Sequence, residues 1–211
     1  MIKKNFGMVV FAALVCLLPA TCFADTAGWE FSTIGTEFTN NTWNFGEVFT
    51  VNQNIMVDFL GYYNPSTGMT ANHEVALYDS SGNQLADTVV TSSSLFMSTH
   101  WLYNQITPVE LLAGQTYVVQ GLSQTDLYAY NDNGFQTFAP ITILGDTYEV
   151  STTMDNNQGT NVGCCLQEND GFWGANFGWA PVTGTPEPGS LLMIGTGLLG
   201  LAAFARRKKN A

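Results

Sequence analysis

Between Asp25 and Thr185 the chain has neither Lys nor Arg. These two residues are good helix formers, and Glu is sparse in the same interval, while Val, Thr, Tyr, Phe and Ile are abundant. A segment of that composition favours strands over helices. All six basic residues sit at the ends: Lys3 and Lys4, then Arg206, Arg207, Lys208 and Lys209. Of the 17 acidic residues only Glu187 lies outside the interval, so the body of the chain is strongly anionic. An anionic surface repels polyanions, which argues against a nucleic-acid partner. Without Lys or Arg the body can build neither a Schiff base nor a guanidinium clamp for phosphate, which removes most phosphoryl-transfer chemistry.

Both ends read as targeting segments. Residues 1–24 have the layout of a secretory signal peptide: Lys3 and Lys4, an apolar run from Phe6 to Leu18, and the small-x-small site Cys22-Phe23-Ala24, with cleavage expected between Ala24 and Asp25. The alternative, an uncleaved anchor, fits less well because the apolar run is short and ends at Pro19. At the other end, residues 189–205 are uncharged and as a helix would span about 25 Å, a minimal membrane crossing. Arg206, Arg207, Lys208 and Lys209 follow as a stop-transfer cluster held on the cytoplasmic side, in a basic tail over residues 206–211. Residues 183–188 form a linker in which Pro186 and Pro188 lack backbone donors and favour an extended chain.

Pro186-Glu187-Pro188, an apolar helix containing Gly195, Gly197 and Gly200, and the closing basic cluster resemble the PEP-CTERM sorting signal of Gram-negative bacteria. The resemblance implies that Pro186, Glu187 and Pro188 are recognised by exosortase, a membrane protease associated with exopolysaccharide production. They are then a site acted upon. It further implies an exported protein, tethered to the inner membrane by its C-terminal helix with a periplasmic ectodomain, and later at the cell surface or outside the cell.

The expected ectodomain, residues 25–182, suits one domain with a single core. Strands are expected near Glu47 to Val51, Ile55 to Tyr62, Glu74 to Tyr78, Leu85 to Val90, Gln115 to Leu122, Leu127 to Tyr130, Thr147 to Ser151 and Gly178 to Val182. Asp79-Ser80-Ser81-Gly82-Asn83 has the composition of a hairpin turn. The fold class is therefore all-β, a single β-sandwich, jelly-roll-like. The run from Glu74 to Ala86, followed by Pro108 to Tyr117 with its Ala113-Gly114 turn, resembles exported bacterial β-sandwich domains of unknown function. That resemblance implies a fold and no activity.

Catalytic motifs are missing. His73 and His100 are the only histidines, neither lies in an HExxH or GxSxG frame, and both read as surface or strand-end residues. A carboxylate pair for glycoside hydrolysis has no sequence signature, so the acids read as solvating surface groups. Calcium is the one cofactor with candidate ligands: Asp126 and Asp132, the latter between Asn131 and Asn133, and separately Asp155, although ordinary Asn/Asp turns explain both stretches. Aromatic residues are numerous and mostly expected in the core, with Trp101 and Tyr103 the first candidates for a glycan-stacking platform. Cys164 and Cys165 are adjacent and allow a vicinal disulfide, an intermolecular bond or thiols.

These readings converge on a non-enzymatic, exported surface or matrix protein, structural or adhesive in an exopolysaccharide or biofilm layer. The alternative is a calcium-assisted carbohydrate-binding module. The expected partners are an exosortase-like protease, the membrane and an exopolysaccharide.

Overall fold

The computed structural model describes residues 26–155 and 172–182. Within them every named element is a strand: β1 (Thr26–Ala27), β2 (Trp29–Glu30), β3 (Thr36–Phe38), β4 (Trp43–Val51), β5 (Ile55–Tyr63), β6 (His73–Asp79), β7 (Gln84–Val90), β8 (Leu95–Phe96), β9 (Trp101–Leu111), β10 (Thr116–Leu122), β11 (Tyr128–Tyr130), β12 (Gln136–Thr137), β13 (Ile141–Val150), β14 (Phe172–Trp173) and β15 (Ala175–Pro181). One five-stranded sheet runs β13-β4-β10-β6-β7 and the other β1-β15-β5-β9-β8, and both are antiparallel. Two small sheets, β14-β11-β3 and β12-β2, complete the fold. The expected all-β sandwich is what forms.

Local chemistry explains the turns. In the β6–β7 hairpin Gly82 takes φ +84°, and the exposed Asp79 carboxylate accepts from the backbone N–H of Ser81 and Asn83. Gly114 takes φ +77° at the turn leading into β10, the central strand of its sheet. Only glycine adopts such angles without strain.

The longest strand, β9, has no counterpart among the expected strands. Its polar Asn104, Gln105 and Thr107, and Pro108 within it, hide the pattern. Pro108 is tolerated because the pairing with β5 jumps from Val57↔Val109 to Phe59↔Gln105, a bulge that frees the ladder from needing its N–H. β4 begins at Trp43 and β13 at Ile141, four and six residues earlier than expected.

The two sheets meet through Phe49 of β4 and Phe177 of β15, whose rings stack with centroids 4.7 Å apart. Such a pair contributes about 1 kcal/mol beyond its buried area. Around it Val51, Val75, Leu77 and Val119 of one sheet face Val57, Leu60 and Tyr62 of the other, all fully buried. Gly121 lets the sheets close in, since a Cβ there would lie 2.8 Å from the Tyr62 ring.

Candidate functional site

β4 starts with Trp43 and Phe45 on one face, and Phe45 stands directly opposite Tyr148 of β13. Phe38 of β3 and Tyr128 of β11, also register partners, supply the facing wall. With Asn40 from the β3–β4 connection these residues line a cleft of about 160 Å³. Phe45 and Tyr128 are buried, with ring centroids 4.7 Å apart; Phe38, Trp43 and Tyr148 are half-buried. Asn40 Oδ1 accepts from Trp43 Nε1 at 2.8 Å and from Tyr128 OH at 2.9 Å. Two donors on one atom fix the amide orientation and leave Asn40 Nδ2 as the outward donor.

One register step deeper on the same face, Glu47 stands opposite Asp146. The two are 1% and 2% exposed. Neither Glu47 oxygen has a hydrogen-bond partner among the described residues. Burial pushes the Glu47 carboxyl well above the usual carboxylate range, and the neighbouring Asp146 charge adds to the effect.

A second buried acid behaves differently. Asp126 Oδ2 accepts from Thr70 N at 2.8 Å, Ala71 N at 2.9 Å and His73 Nε2 at 3.0 Å, and its Oδ1 accepts from the Thr70 hydroxyl. Burial opposes ionisation, but these donors outweigh it and hold the carboxyl below its ordinary value. His73 is fully buried and its Nδ1 lies 2.8 Å from the Leu122 carbonyl oxygen. The Leu122 carbonyl oxygen on one side and the Asp126 carboxylate on the other hold the ring in place. The His73 ring stacks on Tyr62 with centroids 4.0 Å apart and planes 5° off parallel.

A third group lies by β3. Glu37 accepts from Tyr63 OH at 2.6 Å, from Ser66 N at 2.7 Å and from the Ser66 hydroxyl, and His100 Nδ1 lies 2.6 Å from Glu30 Oε1. Asp132 Oδ1 accepts from Gly35 N at 2.9 Å; burial pushes its carboxyl up to about 6.

A family model described as Domain of unknown function (DUF4082) matches residues 29–162, more than half of the chain. The chain belongs to the DUF4082 family. The PEP-CTERM protein-sorting motif matches residues 185–208, which makes the DUF4082 chain an exported protein, anchored in the membrane and processed to the surface by an exosortase. No curated protein matches it. The DUF4082 segment contains every residue of the aromatic cleft, yet it stops short of β15, which pairs along β5 and belongs to the same sandwich.

Against this DUF4082 frame, the residues singled out in the sequence fall into three groups. Trp101 and Tyr103 are both fully buried, so neither offers a face to a sugar: Trp101 packs on Phe31 and Tyr63, and Tyr103 fills the space opposite Gly61. Asp126, Asp132 and Asp155 do not converge. The first serves His73, the second Gly35 N, and the third accepts from Asn44 Nδ2 at 2.9 Å. Among the described residues no three His, Cys, Asp or Glu side chains are placed to hold a metal ion. Ala24, Asp25, Cys164, Cys165, Pro186, Glu187, Pro188, the apolar run 189–205, Arg206, Arg207, Lys208 and Lys209 lie outside the described residues.

Two expectations about polar residues are corrected. His73 is in the core, and Glu47, Asp126, Asp132 and Asp146 are buried where solvated surface acids were expected. Of the cleft residues, Trp43 and Tyr128 stand in the sequence only among the many aromatics, and Phe38, Asn40, Phe45 and Tyr148 are not singled out, because the first strand expected in that region opens at Glu47. The alternation Trp43, Phe45, Glu47, Phe49, Val51 was the available signal, with an acid sitting in an otherwise apolar row.

Proposed function

We propose that this exported DUF4082 protein is a non-enzymatic component of an exopolysaccharide layer, structural or adhesive, and that it holds the polymer through the aromatic cleft. The observation that carries this reading is the cleft itself. Three half-buried rings, Phe38, Trp43 and Tyr148, stand over a buried floor of Phe45 and Tyr128, with one outward amide donor at Asn40. Rings held this way can pack on the CH faces of a sugar while the amide reaches a hydroxyl.

A binding role without hydrolysis is supported by the placement of the acids. Glycoside hydrolysis needs two carboxyl groups flanking the scissile bond. Glu47 and Asp146 are a pair, but both are shut inside the sandwich behind Phe45. The reading also calls for no calcium, because Asp126, Asp132 and Asp155 each serve a separate part of the fold.

Trp43→Ala tests it. Retention of the full-length protein on exopolysaccharide from its native host, measured on protein that is still folded, should fall about tenfold. Unchanged retention would remove the cleft from the proposal, and glycan hydrolysis abolished by Glu47→Gln would replace binding with catalysis.

A further inference from the structure

We infer that the cleft selects a saccharide carrying an ammonium group, a hexosamine with its amine free, over neutral or acidic sugars. The inference rests on the carbohydrate-binding reading above and names its ligand class.

Three observations carry it. First, the lining is five aromatic rings and a single amide. A neutral sugar presents many hydroxyls and needs several polar side chains to replace their water. Here Asn40 Oδ1 already accepts from Trp43 and Tyr128, so the other polar groups of the lining come down to Asn40 Nδ2 and the Tyr148 hydroxyl, too few for the hydroxyls of a neutral sugar. A cation needs no such set, because the negative faces of aromatic rings attract it directly, most strongly those of Trp and Tyr. Second, the cleft is about 160 Å³, roughly half the lower end of ordinary ligand pockets, so it fits one ring or a substituent of it and not a length of chain. Third, the surroundings favour positive charge. No Lys or Arg lies anywhere from Asp25 to Thr185, and that stretch holds 16 of the 17 acidic residues. A field of that sign concentrates cations at the surface and repels uronic-acid polymers.

The test is a titration of the full chain, kept in detergent for its apolar C-terminal run, followed by Trp fluorescence. Glucosamine oligomers, N-acetylglucosamine oligomers of equal length, a glucuronic-acid polymer and a lysine peptide of matched charge are compared. The glucosamine oligomer is expected to bind about tenfold tighter than its N-acetylated counterpart, to loosen as salt is raised, and to lose that preference in Trp43→Ala and in Tyr148→Ala. Equal or tighter binding of the N-acetylated oligomer overturns the ammonium inference and leaves the carbohydrate reading standing. Binding of the lysine peptide alone, or of no saccharide, overturns both. Should Trp43→Ala fail to fold, Tyr148→Leu, which keeps an apolar side chain and removes the ring, is read in its place.

Discussion

Asp126 and Glu47 are withdrawn from water to similar extents, 5% and 1% exposed, yet one is held ionised and the other protonated. The difference lies in where each finds donors. Asp126 sits between β10 and β11 and faces the β5–β6 connection, where the N–H groups of Thr70 and Ala71 are not committed to a ladder. Glu47 is in the middle of β4, between β10 and β13, where every neighbouring backbone donor already serves a strand pair. Burial raises both carboxyls, and only the loop offers enough donors to reverse the effect. Glu47, without donors in its sheet, is thus held neutral, while a loop packed on the same sheet supplies the donors that hold Asp126 charged.

Removing the satisfied acid should do the most damage. Asp126→Ala leaves the His73 Nε2 proton, the Thr70 hydroxyl and two backbone N–H groups without their acceptor, in a site with little water. A loss of about 3–5 kcal/mol is expected by denaturant unfolding. The pH dependence follows from the lowered carboxyl. Its stabilisation is present above the value the unfolded chain would show and is lost as pH falls through the lower folded value. The variant should therefore have a flatter acid limb than the parent. A loss below about 1 kcal/mol would mean that the four donors are satisfied elsewhere and that the contrast with Glu47 is false.

For Glu47 the sign is opposite. Its folded carboxyl keeps a proton that the unfolded chain releases, so its contribution to stability declines as pH rises above the ordinary value of 4.5. Glu47→Gln removes that decline. Thermal midpoints should match the parent near pH 3 and exceed it near pH 8, by about 1–3 kcal/mol when converted to free energy. Equal pH profiles for the two proteins would show that Glu47 is ionised when folded.

The same division between ladder and loop explains what could be read from residues alone. Turns announced themselves, because Gly82 and Gly114 supply positive φ and Asp79 caps its own hairpin. The strands with plain alternation were also legible. β9 was not, since its buried residues Trp101 to Tyr103 are followed by a half-exposed polar stretch, and its bulge accommodates a proline that argues against a strand. The site was less legible than the fold. Trp43 and Phe45 look like core residues; Phe38 comes from the neighbouring β3, but only β11 and β13, distant in sequence, bring Tyr128 and Tyr148 against them. Trp101 and Tyr103 have the better local spacing for a platform, but Phe31 packs over one and the other lies against Gly61, which no short-range pattern reveals.

Two adjacent tyrosines on β5 give the smallest and most exacting comparison. Tyr63 donates to Glu37 at 2.6 Å, whereas the Tyr62 hydroxyl, fully buried, has no hydrogen-bond partner among the described residues. Tyr62 is instead held by its ring, between Gly121 and Gly174 and flat against His73. Tyr63→Phe removes a donor from an ionised acceptor and should lose about 1–2 kcal/mol. Glu37 keeps its two Ser66 donors, which limits the loss. Tyr62→Phe keeps the stack and discards only an unsatisfied hydroxyl, so its stability should lie within about 0.5 kcal/mol of the parent or slightly above it. The order of the two variants in denaturant midpoint is the decisive quantity. If Tyr62→Phe proves the more damaging, its hydroxyl has a partner when the protein is folded, and the contrast between the two tyrosines fails.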